Sequence, residues 1–193
     1  MLDGPSAPTF SDASNASTTV TFTDPGRYVL QLEAHDGTSG STDTTTVWVN
    51  ATVIPVEADA EVNSERAGMN FGATNFLTVN ESHHAYFRFD LSSLTATPEG
   101  ALLRLSTAEP GYTSVPREIR RVADDSWGEM TITWSSMPTP DSAVLATIGV
   151  DRGWMEADLT STVATEYSGD QILSINLQPA SSPSDWILYN TKD

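Results

Sequence analysis

The chain has 193 residues, enough for one or two domains, and a net charge of −17 with only 9 basic residues, Lys192 being the single lysine. That balance argues against nucleic acid and anionic membrane as partners; it fits a protein living in salt, where an acidic surface stays soluble and self-repulsion is screened. Cysteine is absent, which excludes disulfides, thiol catalysis and cysteine-ligated metal centres.

No stretch is long and apolar enough to span a membrane as a helix. "MLDGPSAPTF" has neither a basic start nor an apolar core, so it reads as no signal peptide. A secreted form of this chain requires a signal further upstream.

Residues 1–53 read as short strands, "STTVTF", "GRYVLQLEAHDG" and "TDTTTVWVNATV", with turns at Pro25–Gly26 and Asp36–Gly37. Tyr28, Leu30, Leu32 and Ala34 share one face of the second strand. The run "GPSAPTFSDAS", "TVTFTDPGRYVLQLEAHDG", "TTTVWVN" resembles the second half of a PKD-type immunoglobulin-like domain. The resemblance implies earlier strands that are missing here. A three-strand remnant leaves an apolar face open and an edge unpaired, so the remnant is expected to dock on the following domain or to exchange strands with it or with a neighbouring molecule.

The pattern restarts near Thr52–Val56, and residues 56–193 form the main domain. Strands are predicted at "ADAEV", "FLTVN", "AYFRFDLSSL", "GALLRLSTA", "REIRRVA", "MTITW", "SAVLATIGV", "QILSINLQP" and "WILYN", with one short helix in "LTSTVATEYSG". Many short strands punctuated by Gly, Pro, Asn and Ser predict an all-β sandwich or jelly roll, with the immunoglobulin-like β remnant at its N-terminal side. In "HHAYFRFDLSSL", Ala85, Phe87, Phe89 and Leu91 fall on one face and Tyr86, Arg88 and Asp90 on the other. His83 and His84 point opposite ways, so they do not share a metal.

Catalytic readings are weak. Asp124, Asp125 and Glu129 in "DDSWGEMTITW" could form a carboxylate pair, but Trp127, Ile132 and Trp134 read as buried anchors around them. His84, Tyr86 and Arg88 share a face by alternation alone. No enzyme is expected.

Metal and ligand readings are more specific. Glu57, Asp59 and Glu61 alternate in "EADAE". With Asn70 in "NFGATN" and Asp193 at the end of the chain, they are a candidate Ca2+ site of hard oxygen ligands. Among the few cations, Arg117 and Arg120 cluster in "VPREIRRV" beside the loop carrying Tyr112. Arg66 and Lys192 lie in other loops. Arginine forks suit uronate or sulfate oxygens, and Tyr112 can pack on a sugar ring.

The segments "ADAEV", "NFGATNFLTV", "AYFRFDLSSL", "ALLRL", "DDSWGEMTITWSSMP", "GWMEADLTSTV" and "WILYNTKD" follow one another in an order that resembles the DNRLRE-type domain, or carbohydrate-binding module family 96. The resemblance implies a β-sandwich that binds acidic polysaccharide, alginate in the best-known case, without catalysis. It also allows a structural calcium. It implies one more apolar strand after Asp193, and a place beside lyases, hydrolases or surface domains in a larger multidomain protein. The expected function is therefore a secreted, non-catalytic module for an extracellular acidic polysaccharide. The alternative is a structural or adhesive repeat of a cell-surface protein.

Overall fold

The structure, a computed structural model, describes residues 1–109, 115–149, 153–181 and 186–192. The chain divides into two compact units, Met1–Val53 and Ile54–Asp193.

The first unit holds β1 (Thr9–Phe10), β2 (Val20–Thr21), β3 (Gly26–His35) and β4 (Gly40–Val49). β3 and β4 form a hairpin paired from Gly26↔Val49 to His35↔Gly40. Its turn is set by Asp36, whose carboxylate accepts the Thr38 and Ser39 amides at 2.8 Å each. Tyr28 is fully buried against the Phe22 ring, 4.5 Å away between centroids, and its hydroxyl donates to the Asp24 carbonyl at 2.8 Å. Leu32, on the same face, is 68 % exposed. The apolar face predicted from the sequence is thus closed at one end and open at the other.

The second unit contains β5 (Ala58–Asn63), β6 (Phe76–Val79), β7 (His83–Asp90), β8 (Leu102–Glu109), β9 (Arg117–Val122), β10 (Val144–Ile148), β11 (Trp154–Asp158), α1 (Thr160–Ser168), β12 (Ile172–Pro179) and β13 (Ile187–Asn190). A five-stranded sheet runs β10-β9-β12-β7-β5 and a four-stranded sheet β11-β8-β13-β6. All pairings are antiparallel. From β6 onward the chain crosses between sheets at nearly every step, keeping only β9 and β10 together. This is the jelly-roll order, with β5 added at one edge.

Alternation builds the core. Phe87, Phe89, Leu105, Ile119, Ile175, Ile187 and Tyr189 meet between the sheets. Each fully buried large apolar side chain contributes roughly 1.5–3 kcal/mol. α1 closes one end, where Val163 joins the same cluster.

A second cluster, Ala58, Ala60, Val62, Tyr86, Val122, Trp127 and Ile132, lies on the outer face of the five-stranded sheet. Residues 123–141 cover it as an irregular plug. The strand predicted at "MTITW" does not form. Thr131 and Ile132 amides turn back to the Gly128 carbonyl at 2.9 and 2.8 Å, and the Asn70 side chain donates to the Glu129 and Ile132 carbonyls at 2.7 Å each. With turns and a side chain satisfying the backbone, no ladder is needed. The strand β11 was not among those predicted: a five-residue segment next to a helix offers too short an alternation.

His84 sits under this plug, its ring 5.0 Å from that of Trp134. Burial, and secondarily the charge of His83, pushes its pKa down to about 4 from the ordinary 6.5. Between those values the unfolded chain takes up a proton that the folded chain refuses, so stability falls as pH drops through that window. Allowing for the ring's partial exposure, the loss at pH 5 relative to pH 7.5 is on the order of 1 kcal/mol. Urea denaturation of the native chain and of His84→Phe at the two pH values measures it. The variant should lose less stability on acidification, and equal losses would refute the assignment.

Candidate functional site

The cations expected to meet a ligand are mostly occupied within the fold. Arg117 is fully buried. Alternation in β9 places it on the same face as Ile119, between the sheets. Its guanidinium donates to the Val79 carbonyl at 2.9 Å and to the Val115 carbonyl. Burial holds its pKa below the usual arginine range, against an opposing influence of Tyr189. The expected ligand role of Arg117 is corrected: it is a core residue that a polysaccharide in solution does not reach.

Arg120 is held by Glu118 at 2.6 Å and by the Asp141 and Ser142 carbonyls at 3.2 and 2.6 Å. Lys192 pairs with Glu129 at 3.2 Å. Arg66, at the end of the 3-10 turn Ser64–Arg66, is exposed. Tyr112 lies outside the described residues.

The acidic set is split. Glu57 pairs with Arg88 at 2.9 Å, an arginine that also reaches the Asp125 carbonyl at 3.1 Å and stacks over Trp127 at 5.2 Å. Asp59 and Glu61 are buried and accept backbone amides instead: Asp59 from Lys192 at 3.0 Å, Glu61 from Thr78 at 2.7 Å. Asn70 spends its amide on the plug and its oxygen on the Gly72 amide at 3.1 Å. Asp193 lies outside the described residues. Among the described residues no three histidines or carboxylates converge as a metal site. Carboxylates that accept edge amides satisfy backbone groups that a sandwich side otherwise leaves unpaired.

The carboxylate pair of the plug is also structural. Asp124 accepts the Ser126 amide at 3.0 Å, and Glu129 accepts the Asp59 amide at 3.2 Å. Tyr86 is fully buried, its hydroxyl donating to the Pro138 carbonyl at 2.9 Å. Burial raises its pKa further above the phenol range. His84, Tyr86 and Arg88 are therefore covered by the plug.

The two outer sheet faces differ. That of the five-stranded sheet is plugged. On the four-stranded sheet, Met155, Leu103, Leu105, Tyr189 and Leu77 point inward, so their neighbours point out. Trp154 on β11 is 64 % exposed, and Phe76 on β6 is 46 % exposed. The Arg104 guanidinium of β8 lies over the Trp154 ring, 4.7 Å from its centroid, and pairs with Glu156 at 3.1 Å. Beside them, the Asn190 side chain donates to the Ser106 hydroxyl at 3.0 Å. Neither Trp154 nor Arg104 is among the ligand residues expected from the sequence. Their signal was the parity of "WMEAD", where Trp154 and Glu156 alternate with inward Met155 and Ala157.

An exposed indole flanked by a guanidinium, an amide and a hydroxyl has the chemistry on which a ring-shaped polar ligand can stack. The family comparison agrees: residues 50–193 match the model of carbohydrate-binding module family 96, and the chain belongs to that family. No curated protein matches the chain. No helix among the described residues is long and apolar enough to cross a membrane.

Proposed function

We propose that this module binds an extracellular acidic polysaccharide on the outer face of the four-stranded sheet, without catalysis. A sugar ring stacks on Trp154, and Arg104 meets its carboxylate or sulfate. The observation that carries the reading is the 64 % exposure of Trp154 beneath the Arg104 guanidinium. The Arg104–Glu156 pair lies at the surface, with Arg104 exposed and Glu156 half-buried, and surface pairs are worth about 0–1 kcal/mol. A ligand carboxylate therefore replaces Glu156 at small cost. A polysaccharide ligand also supports a secreted location and a place in a larger protein, with residues 1–53 as part of a preceding PKD-type domain.

Titration of alginate, pectin and a neutral glucan in several hundred millimolar salt tests this. Trp154→Ala should weaken binding about 30-fold, the effect of losing a central aromatic contact of about 2 kcal/mol. Arg104→Ala should weaken binding to the two uronates and leave any binding of the glucan unchanged. Undiminished affinity in Trp154→Ala, or preference for the glucan, contradicts the proposal. Absence of binding to every polysaccharide favours a structural or adhesive repeat.

A further inference from the structure

The strand registers align the exposed residues of the face. Trp154 pairs with Ser106, and Asn190 pairs with Phe76. The hydrogen bond from Asn190 to Ser106 joins the two halves. Trp154, Ser106, Asn190 and Phe76 thus form one row that crosses β11, β8, β13 and β6 at right angles to the strands. Three inter-strand spacings separate its ends, roughly 14 Å. The row has an aromatic ring at each end and hydrogen-bonding groups between them.

Resting on the proposed carbohydrate function, we infer that the ligand is an extended sugar chain laid across the strands and stacked on both Trp154 and Phe76. A single terminal sugar reaches one ring only. Charge sets the direction. A chain running along β11 from Trp154 meets the carboxylates of Glu156 and Asp158, whose side chains share the face. The row across the strands carries no carboxylate of its own, so an acidic chain that follows it passes Glu156 once, beside Arg104, instead of running along both Glu156 and Asp158. The row stands on inward-packed Leu77, Leu105, Met155 and Tyr189, all buried, which hold the backbone beneath it. A platform fixed before binding loses little freedom on association.

The test uses the whole chain and ladders of alginate, pectin and β-glucan oligosaccharides from disaccharide to octasaccharide, followed by calorimetry. On the ladder that binds, affinity should rise with length until both rings are spanned and then level off. Phe76→Ala should weaken the long oligosaccharides about tenfold and leave the shortest binding members unchanged. Trp154→Ala should weaken all of them. Phe76→Ala with native affinity at every length overturns the across-strand footprint while the carbohydrate reading stands. Binding on no ladder overturns both. Circular dichroism verifies that the variants, both at exposed positions, keep the native fold.

Discussion

Gly72→Ala is expected to destabilise the main domain by roughly 3 kcal/mol or more, near the upper end of what overpacking costs. A Cβ at this position sits 2.0 Å from the Glu129 carbonyl oxygen and 2.6 Å from the carbonyl carbon. Both are backbone atoms, so no side-chain rotation relieves the clash. Glu129 is also held in place. Its carbonyl accepts from Asn70 at 2.7 Å, and its carboxylate caps the Asp59 amide and pairs with Lys192. Moving it loosens the plug from β5. For a domain of this size the loss corresponds to a fall in Tm of roughly 6–12 °C. Gly68, in the same loop, would place its Cβ in open space, with nothing within 4 Å. Gly68→Ala is the control and should melt close to the native chain. A Gly72→Ala protein that melts with the control shows that the plug is not locked to this loop.

Arg117 separates packing from charge. Arg117→Ala removes a fully buried side chain and leaves a cavity between the sheets, so a cost of about 3–5 kcal/mol is expected. Arg117→Met keeps much of the volume. It removes a buried cation that pairs with no carboxylate among the described residues, which is itself a relief. It also deprives the Val79 and Val115 carbonyls of their donor, at about 1 kcal/mol each. The methionine variant should therefore stay within about 2 kcal/mol of the native chain. Denaturant titration ranks the three proteins. Equal destabilisation by alanine and methionine means that the guanidinium hydrogen bonds, rather than volume, hold this part of the core. A folded methionine variant with lost polysaccharide affinity would return Arg117 to the ligand set.

The sandwich was legible because period-2 alternation is strong in β7, β9 and β12, where Phe87, Ile119 and Ile175 share the inner layer. The helix after Asp158 was legible too, and Asp158 accepts the Thr160 amide at its start at 2.8 Å. The plug was not, since Ile132 and Trp134 alternate as a strand does while a turn to Gly128 and the Asn70 side chain satisfy the backbone of Ile132. The candidate site was legible only in part, for a related reason. Rarity made Arg66, Arg117 and Arg120 look available, yet parity alone places Arg117 beside Ile119 in the core. The amide bonds of Asp59 and Glu61 were not legible, because a one-dimensional pattern does not reveal which amides a folded edge leaves to be filled. Trp154 and Arg104 become neighbours only when β11 pairs with β8, so neither stood out singly.

The carboxylates along the β5–β6 side also bear on how molecules of this protein meet in brine. At about 1 M salt the Debye length shrinks to about 3 Å, so a charge of −17 no longer keeps copies apart. Short-range valence then governs sticking, and an exposed strand recruits others through its vacant amides. On this flank those of Asp59 and Thr78 are already taken by Glu129 and Glu61. Such bonds are made at contact distance inside the molecule and are far less sensitive to ionic strength. The bonds to the Asp59 and Thr78 amides thus close two of the points through which this side could recruit another strand, and they do so at ionic strengths where repulsion between acidic surfaces has faded.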